Sequence, residues 1–342
     1  LHDQILTFIP PLYQPAFVGH GYVLPPNTWR VSASSTFFDI DHNDFFKNGD
    51  TDPAHENHQI HRSRVDFDLF YGLDRDFTIR VNVPYFNTQS TGSVHPAGVM
   101  NMDLFVEGTS SEVGDISLFL KKKFWDQANR GFNFAGVIGV KLPTGRDDEE
   151  FDQPMVIRDP MGNLGVAFGG GPFPRFADDG RLPSGTQPGT GAIGYIAGLF
   201  GTRQFVRPRA AVHAGVVARI LDDAGGVDPG DELRFFASFV KPVFKDYLSV
   251  ELAVNGMDKD DDSYEGTFMH PVPDPVTGQF MGFAVTPRPS FRGGTVVFVS
   301  PSIIYSPNPW TRFTLSGMFR TNDPDLGPWP DSQLRLNATV TF

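Results

Sequence analysis

The chain has 342 residues, a net charge of −12 at neutral pH and no cysteine. That acidity sets nucleic acid aside as a partner, and the lack of thiols excludes a disulfide framework or a thiolate metal centre. No apolar run of about 18 residues occurs, so no helix crosses a bilayer; abundant glycine (36), proline (29) and phenylalanine (33) point instead to many short strands separated by turns.

The chain opens on Leu1 without a basic, then apolar, leader, and reads as the mature product of signal-peptide cleavage. Residues 1–26 do not read as a strand, because Ile9-Pro10-Pro11-Leu12 and Leu24-Pro25-Pro26 remove ladder donors. This apolar stretch is expected to plug a lumen, to dock on a periplasmic rim or partner, or to form a loose tail. Residues 27–342 form the second unit.

From residue 29 onward, apolar and polar residues alternate with period two, which puts one residue class on each face of a strand. Strands are predicted over residues 29–38, 64–71, 77–84, 115–125, 132–142, 192–201, 210–220, 232–242, 248–254, 295–305, 312–319 and 333–342. The last is the clearest: Leu334, Leu336, Ala338, Val340 and Phe342 share one face, and Gln333, Arg335, Asn337, Thr339 and Thr341 the other.

Links after even-numbered strands are short (72–76, 126–131, 202–209, 243–247 and 306–311). Links after odd-numbered strands are longer (39–63, 85–114, 143–191, 221–231, 255–294 and 320–332). An outer-membrane barrel has short periplasmic turns, long outside loops and an even strand number. Trp29, Tyr71, Phe77, Phe124, Trp125, Phe132, Phe205, Tyr247, Trp310 and Phe313 fall near the proposed periplasmic ends, where an interfacial girdle belongs. Lipid cannot satisfy an open sheet edge. The expected fold is therefore all-β: a closed antiparallel transmembrane β-barrel of twelve strands, with residues 333–342 paired beside residues 29–38.

Two resemblances follow. The alternating Leu336, Ala338, Val340 and terminal Phe342 resemble the C-terminal targeting signal of outer-membrane barrels, with valine at 340 where tyrosine is commoner; this implies the barrel-assembly machinery as a partner. Gly114-Asp115-Ile116-Ser117-Leu118, Lys121-Lys122-Lys123-Phe124 and the strand closing on Leu142-Pro143-Thr144-Gly145 resemble the outer-membrane family named for the meta-pathway of phenol degradation. The match covers residues 110–146 and implies a channel or transporter fold more firmly than a substrate.

With apolar residues turned to lipid, Arg30, Arg64, Asp66, Asp68, Arg80, Lys121, Arg219, Arg234, Glu251, Arg312, Arg320 and Arg335 point into the lumen, joined by His213. Cations outnumber acids, giving either an anion-preferring path or a salt-bridged filling that stiffens a narrow barrel. In the outside loops, Asp258, Asp260, Asp262 and Glu265 suit Ca²⁺, but their spacing is not that of an EF-hand and the first reading is a solvated acidic loop, with bridging to lipopolysaccharide by divalent cations between the two. His55, His58 and His61 bind Zn²⁺ or Cu²⁺ only if a turn gathers them. No resident cofactor is expected, and no nucleophile elbow or zincin motif occurs.

The leading expectation is a non-enzymatic, passive channel or facilitator for small molecules, hydrophobic or aromatic ones among them. A structural outer-membrane anchor for a periplasmic or surface protein partner is the alternative, and an outer-membrane hydrolase using His213 stands third.

Overall fold

The structure, a computed structural model, describes residues 20–42, 55–95, 103–127, 131–148, 156–158, 164–166, 187–205, 207–223, 227–244, 247–261, 263–264, 267–273, 280–287, 293–322 and 330–342. Twelve strands build the wall: β1 (Trp29–His42), β2 (His55–Gly72), β3 (Phe77–His95), β4 (Ser117–Gln127), β5 (Phe132–Lys141), β6 (Gly194–Phe205), β7 (Ala210–Leu221), β8 (Glu232–Phe244), β9 (Leu248–Lys259), β10 (Gly294–Asn308), β11 (Thr311–Arg320) and β12 (Ser332–Thr341). Each pairs antiparallel with its neighbours in sequence, and β12 returns to β1 with Arg30 opposite Thr341 and Phe38 opposite Gln333. The expected closure is found, and it leaves the barrel without a free edge for lipid to solvate.

Alternation positions the two faces. Val31, Phe37, Phe67, Leu69, Ile138, Leu199, Leu252, Ile303 and Leu315 are exposed on the outside, while Ser32, Ser34, Asp66, Asp68, His213, Ser238 and Ser316 are buried inside. So continuous an apolar exterior, over a polar interior, is the inverse of a water-soluble sandwich and fits a hydrocarbon surround. Trp29 packs on Tyr71 at 4.5 Å between ring centroids. Tyr247 bridges Phe244 at 5.3 Å and Tyr305 at 6.3 Å, and Tyr305 stacks on Phe313 at 6.4 Å. These rings lie at the end of the barrel that carries Trp29 and Phe342, joined to each other by backbone hydrogen bonds of 2.8 and 2.9 Å. A register shift between Lys123 and Trp125 turns both Phe124 and Trp125 outward at that level.

The wall extends beyond the predicted strands. The sequence reading placed residues 39–63 and 85–114 in links, yet β1 and β2 continue to a pair between His42 and His58, and β2 and β3 to His55 opposite His95. A strand over Asp103–Val113 continues up β3, separated from β4 by residues 114–116. Short strands Val156–Arg158 and Leu164–Val166 extend that sheet, Val227–Asp228 before β8 pairs with Ser263–Tyr264 after β9, and a hairpin pairs Thr267–Pro273 with Phe280–Pro287. At about 3.3 Å per residue the 18 residues of β2 span roughly 60 Å, about twice the hydrocarbon thickness. Alternation is enforced only where lipid meets one face, so the period-two signal that reveals a strand fades beyond it.

Candidate functional site

Arg30, Arg64, Asp66, Asp68, Arg80, Lys121, Arg219, Arg234, Glu251, Arg312, Arg320 and Arg335 all occupy positions on the inward face, in phase with the buried Ser32, Asn82, Ser238 and Ser316. On β2 and β3 they form a ladder. Arg64 is ion-paired to Asp66 at 2.7 Å and Arg80 to Asp68 at 2.8 Å. Asn82 ties the rungs together by donating from Nδ2 to Asp66 at 3.2 Å and to Asp68 at 2.9 Å. Across the barrel, Glu232 accepts Arg234 at 2.6 Å and faces Arg219 at 3.5 Å. Arg335 donates from Nε to Ser34 Oγ at 3.0 Å. Arg320 pairs with Asp331 at the end of the barrel away from the termini.

Sequence reasoning missed several inward groups. Glu232 and Arg62 lie on the same phase as the residues it selected, and Arg62 donates to the Gln187 carbonyl at 3.2 Å. Phe70, Phe86, Phe119, Phe200 and Phe236 also lie on the inward phase, against the binary rule that assigned apolar residues to lipid. Cations cap these rings: Arg62 lies 4.2 Å and Arg64 5.2 Å from the Phe86 centroid, Arg80 5.0 Å from Phe119 and 5.4 Å from Phe70, and Lys121 5.1 Å from Phe200. Phe200 in turn stacks on Phe236 at 5.9 Å. A guanidinium or ammonium over a ring face is attracted by the ring quadrupole, which lets an apolar side chain persist in a charged lumen. The facing wall is different in kind. Ser238, Ser249, Ser302, Ser306 and Thr314 are buried inward-facing hydroxyls with no protein hydrogen bond among the described residues.

The chain ahead of β1 enters this lumen. Gly21 N donates to Thr202 Oγ1 at 2.9 Å and Leu24 N to Thr78 Oγ1 at 2.8 Å, both acceptors facing inward. Thr202 Oγ1 also bonds His213 Nδ1 at 2.9 Å. The His20 carbonyl accepts the Lys121 ammonium. Asn27 N and the Thr28 carbonyl then join Gly72 at 2.8 and 3.0 Å, handing the chain to β1. His20 thus sits among Lys121, Arg30, Arg312 and His213. Arg30 donates from Nε to Thr341 Oγ1 at 3.1 Å, and Arg312 Nε, buried, meets no protein acceptor among the described residues.

At the other end of the barrel, the residues carrying the family resemblance form a closed knot. Lys141 Nζ donates to Asp115 Oδ2 at 2.6 Å and also to Thr190 Oγ1. Asp115 accepts Gly145 N at 3.0 Å and Thr190 N at 3.0 Å. Thr144 Oγ1 accepts Ile116 N at 2.9 Å. Gly145 has to be glycine: a side-chain carbon there would fall 2.8 Å from the Gly114 carbonyl carbon and 2.9 Å from Gly189 Cα. The Gly-Asp and Leu-Pro-Thr-Gly pieces are therefore two halves of one junction where three chain segments cross.

His55, His58 and His61, expected in an outside link, lie on strand β2, where positions three apart fall on opposite faces and His55 and His61 are about 20 Å apart along the strand. Among the acidic candidates, Asp258 accepts Thr295 Oγ1 at 2.5 Å and Asp260 N donates to the Asp231 carbonyl at 2.9 Å; Asp262 and Glu265 lie outside the described residues. Leu336, Ala338, Val340 and Phe342 face outward along β12.

No family model matches this chain, and no curated protein does so. Solved structures do. The COG4313 outer membrane channel from Pseudomonas putida F1 aligns over 96% of this chain and 100% of its own, with 11% identity and a TM-score of 0.54. The toluene transporter TodX from Pseudomonas putida covers 94% of this chain and 90% of its own at 9% identity and a TM-score of 0.41. The translocator domain of the autotransporter NalP from Neisseria meningitidis covers 93% and 90% at 8% identity and a TM-score of 0.41. At such identities the likeness is one of fold: the chain has the closed twelve-stranded barrel architecture of an outer-membrane channel.

Proposed function

We propose that this chain is an outer-membrane channel through which small molecules, hydrophobic and aromatic ones among them, diffuse passively. The observation that carries the reading is the lumen, with cation-capped phenylalanines on β2, β3, β4 and β6 facing unpaired hydroxyls on β8 to β11. A barrel that served only as an anchor gains nothing from hydroxyls left without protein partners, each of which costs about 1–3 kcal/mol if kept dry. A path that opens to water lets them hydrate and offers a solute both apolar and polar contacts. The resemblance carried by Gly114, Asp115 and Leu142 to Gly145 supports the same reading, as does the shared fold of the COG4313 outer membrane channel.

Residues 20–26 act as a gate in this account. They are held by two threonine hydroxyls, one lysine and the buried side chains of Tyr22 and Leu24, and no ion pair between side chains fixes them among the described residues. Lipid and lipopolysaccharide surround the barrel, and Leu336 to Phe342 deliver it to the assembly machinery. Liposome swelling tests the channel: vesicles carrying the full chain are expected to admit small uncharged sugars faster than empty vesicles, with a further gain on removal of residues 1–26. Swelling no faster than empty vesicles in both forms overturns it, and stable co-purification of a second protein then favours the anchor.

A further inference from the structure

Three cations from three separate strands surround His20: Arg30 on β1 is repelled both by Lys121 on β4 and by Arg312 on β11. Among the described residues no carboxylate pairs with Arg30 or Lys121 in an ion bridge, whereas the cations higher in the ladder, Arg64, Arg80 and Arg234, each have one. Arg312 is 7% exposed, with Nε unpartnered. Arg312 has the Glu251 carboxylate beside it, but the cluster still carries more positive than negative charge, which is costly to fold and persists where a bound anion balances the excess. The apolar neighbours narrow the class of anion: Lys121 lies over the face of Phe200, which stacks on Phe236.

We propose that this station binds small aromatic carboxylates, with the ring on Phe200 and Phe236 and the carboxylate on Lys121, Arg30 and Arg312. The inference rests on the channel reading and names the solute that the channel selects. The His20 carbonyl now occupies Lys121. A carboxylate forms a stronger, doubly charged hydrogen bond than a neutral carbonyl, so an arriving solute displaces residues 20–24 from Lys121 and opens its own path. An uncharged aromatic alcohol gains the ring contact alone, and an aliphatic carboxylate such as acetate the charge contact alone.

The test is ¹⁹F NMR of 4-fluorobenzoate and 4-fluorobenzyl alcohol with the full chain in detergent micelles, beside Lys121→Gln and Arg312→Gln, each verified as folded by heat-modifiable gel mobility. Comparison among proteins at fixed detergent cancels partition into the micelle. Saturable binding of the benzoate is expected, weakened about tenfold in each variant, with the alcohol bound weakly and equally by all three. Acetate is expected to displace the benzoate only at concentrations at least about tenfold above those at which unlabelled benzoate does so. Equal binding of alcohol and benzoate, or unchanged benzoate affinity in both variants, overturns the charged station. Equal displacement by acetate and benzoate overturns its aromatic half. Tighter benzoate binding in Lys121→Gln shows that Lys121 serves only to hold the segment, and overturns the proposal as well. Conductance is measured separately, so a chain that conducts without binding benzoate keeps the channel and loses this station.

Discussion

Lys141 Nζ lies 2.6 Å from Asp115 Oδ2, and the two side chains are only 4% and 6% exposed. The pair joins the start of β4 to the end of β5, and Thr190 ties both to the approach to β6. Removing one member strands a buried charge, which costs about 3–5 kcal/mol. Asp115→Leu and Lys141→Met are each expected to lower the urea midpoint of the micelle-bound barrel, and the double variant to recover most of the loss because it leaves no charge unpaired. Urea-dependent gel mobility checks this; a double variant as unstable as the worse single one would contradict it.

The docking of residues 20–26 is tested at Gly21. A side-chain carbon there would lie 2.5 Å from the Asn133 carbonyl oxygen, so Gly21→Val cannot seat against Thr202. It is expected to raise conductance toward that of the chain lacking residues 1–26 without changing heat-modifiable mobility. Conductance equal to that of the unaltered chain would place the gate elsewhere.

That gate is expected to respond to pH. Burial, reinforced by the Lys121, Arg30, His213 and Arg312 charges, holds the docked His20 well below the ordinary imidazole range. A released His20 takes up a proton near pH 6.5 and the docked one does not. Docking is therefore fully favoured above that pH and loses up to about 1.4 kcal/mol per pH unit below it. Open probability should rise between about pH 7 and 5, and His20→Gln should flatten the rise. A pH response that His20→Gln leaves unchanged would assign it to other groups.

The outer face carries its own test. Ile138 on β5 points outward and is 63% exposed. Arginine there is expected to cost about 2–4 kcal/mol if the site lies near the bilayer midplane, read as a lowered folded fraction in vesicles. Phe342→Ala is expected to leave refolding in detergent intact and to reduce the amount assembled in the outer membrane of cells; equal assembly would remove Phe342 from the targeting signal.

These tests follow the division between what was legible in the sequence and what was not. The twelve wall strands were readable because lipid on one side and water on the other enforce period two, as in Gln333 to Phe342. Beyond the bilayer that contrast ends, and residues 85–95 of β3 and the strand Asp103–Val113 gave no signal. The inward arginines were readable from their phase. The inward phenylalanines were not, since Phe86 and Phe200 are apolar residues in polar positions and only the cations over their faces account for them. Asp115 was visible as part of a motif, but its junction with Lys141 depends on Thr190 and Gly189, more than forty residues downstream of Lys141. His55, His58 and His61 gave no strand signal, because the alternation that marks β2 lower down is absent from their stretch.

Planar-bilayer recording of the purified full chain, beside the chain lacking residues 1–26, tests the central claim most directly. The account predicts discrete conductance in the full chain, larger or longer openings after truncation, and a reversal potential on the anion side in a salt gradient. Folded barrels that stay silent in both forms would contradict it.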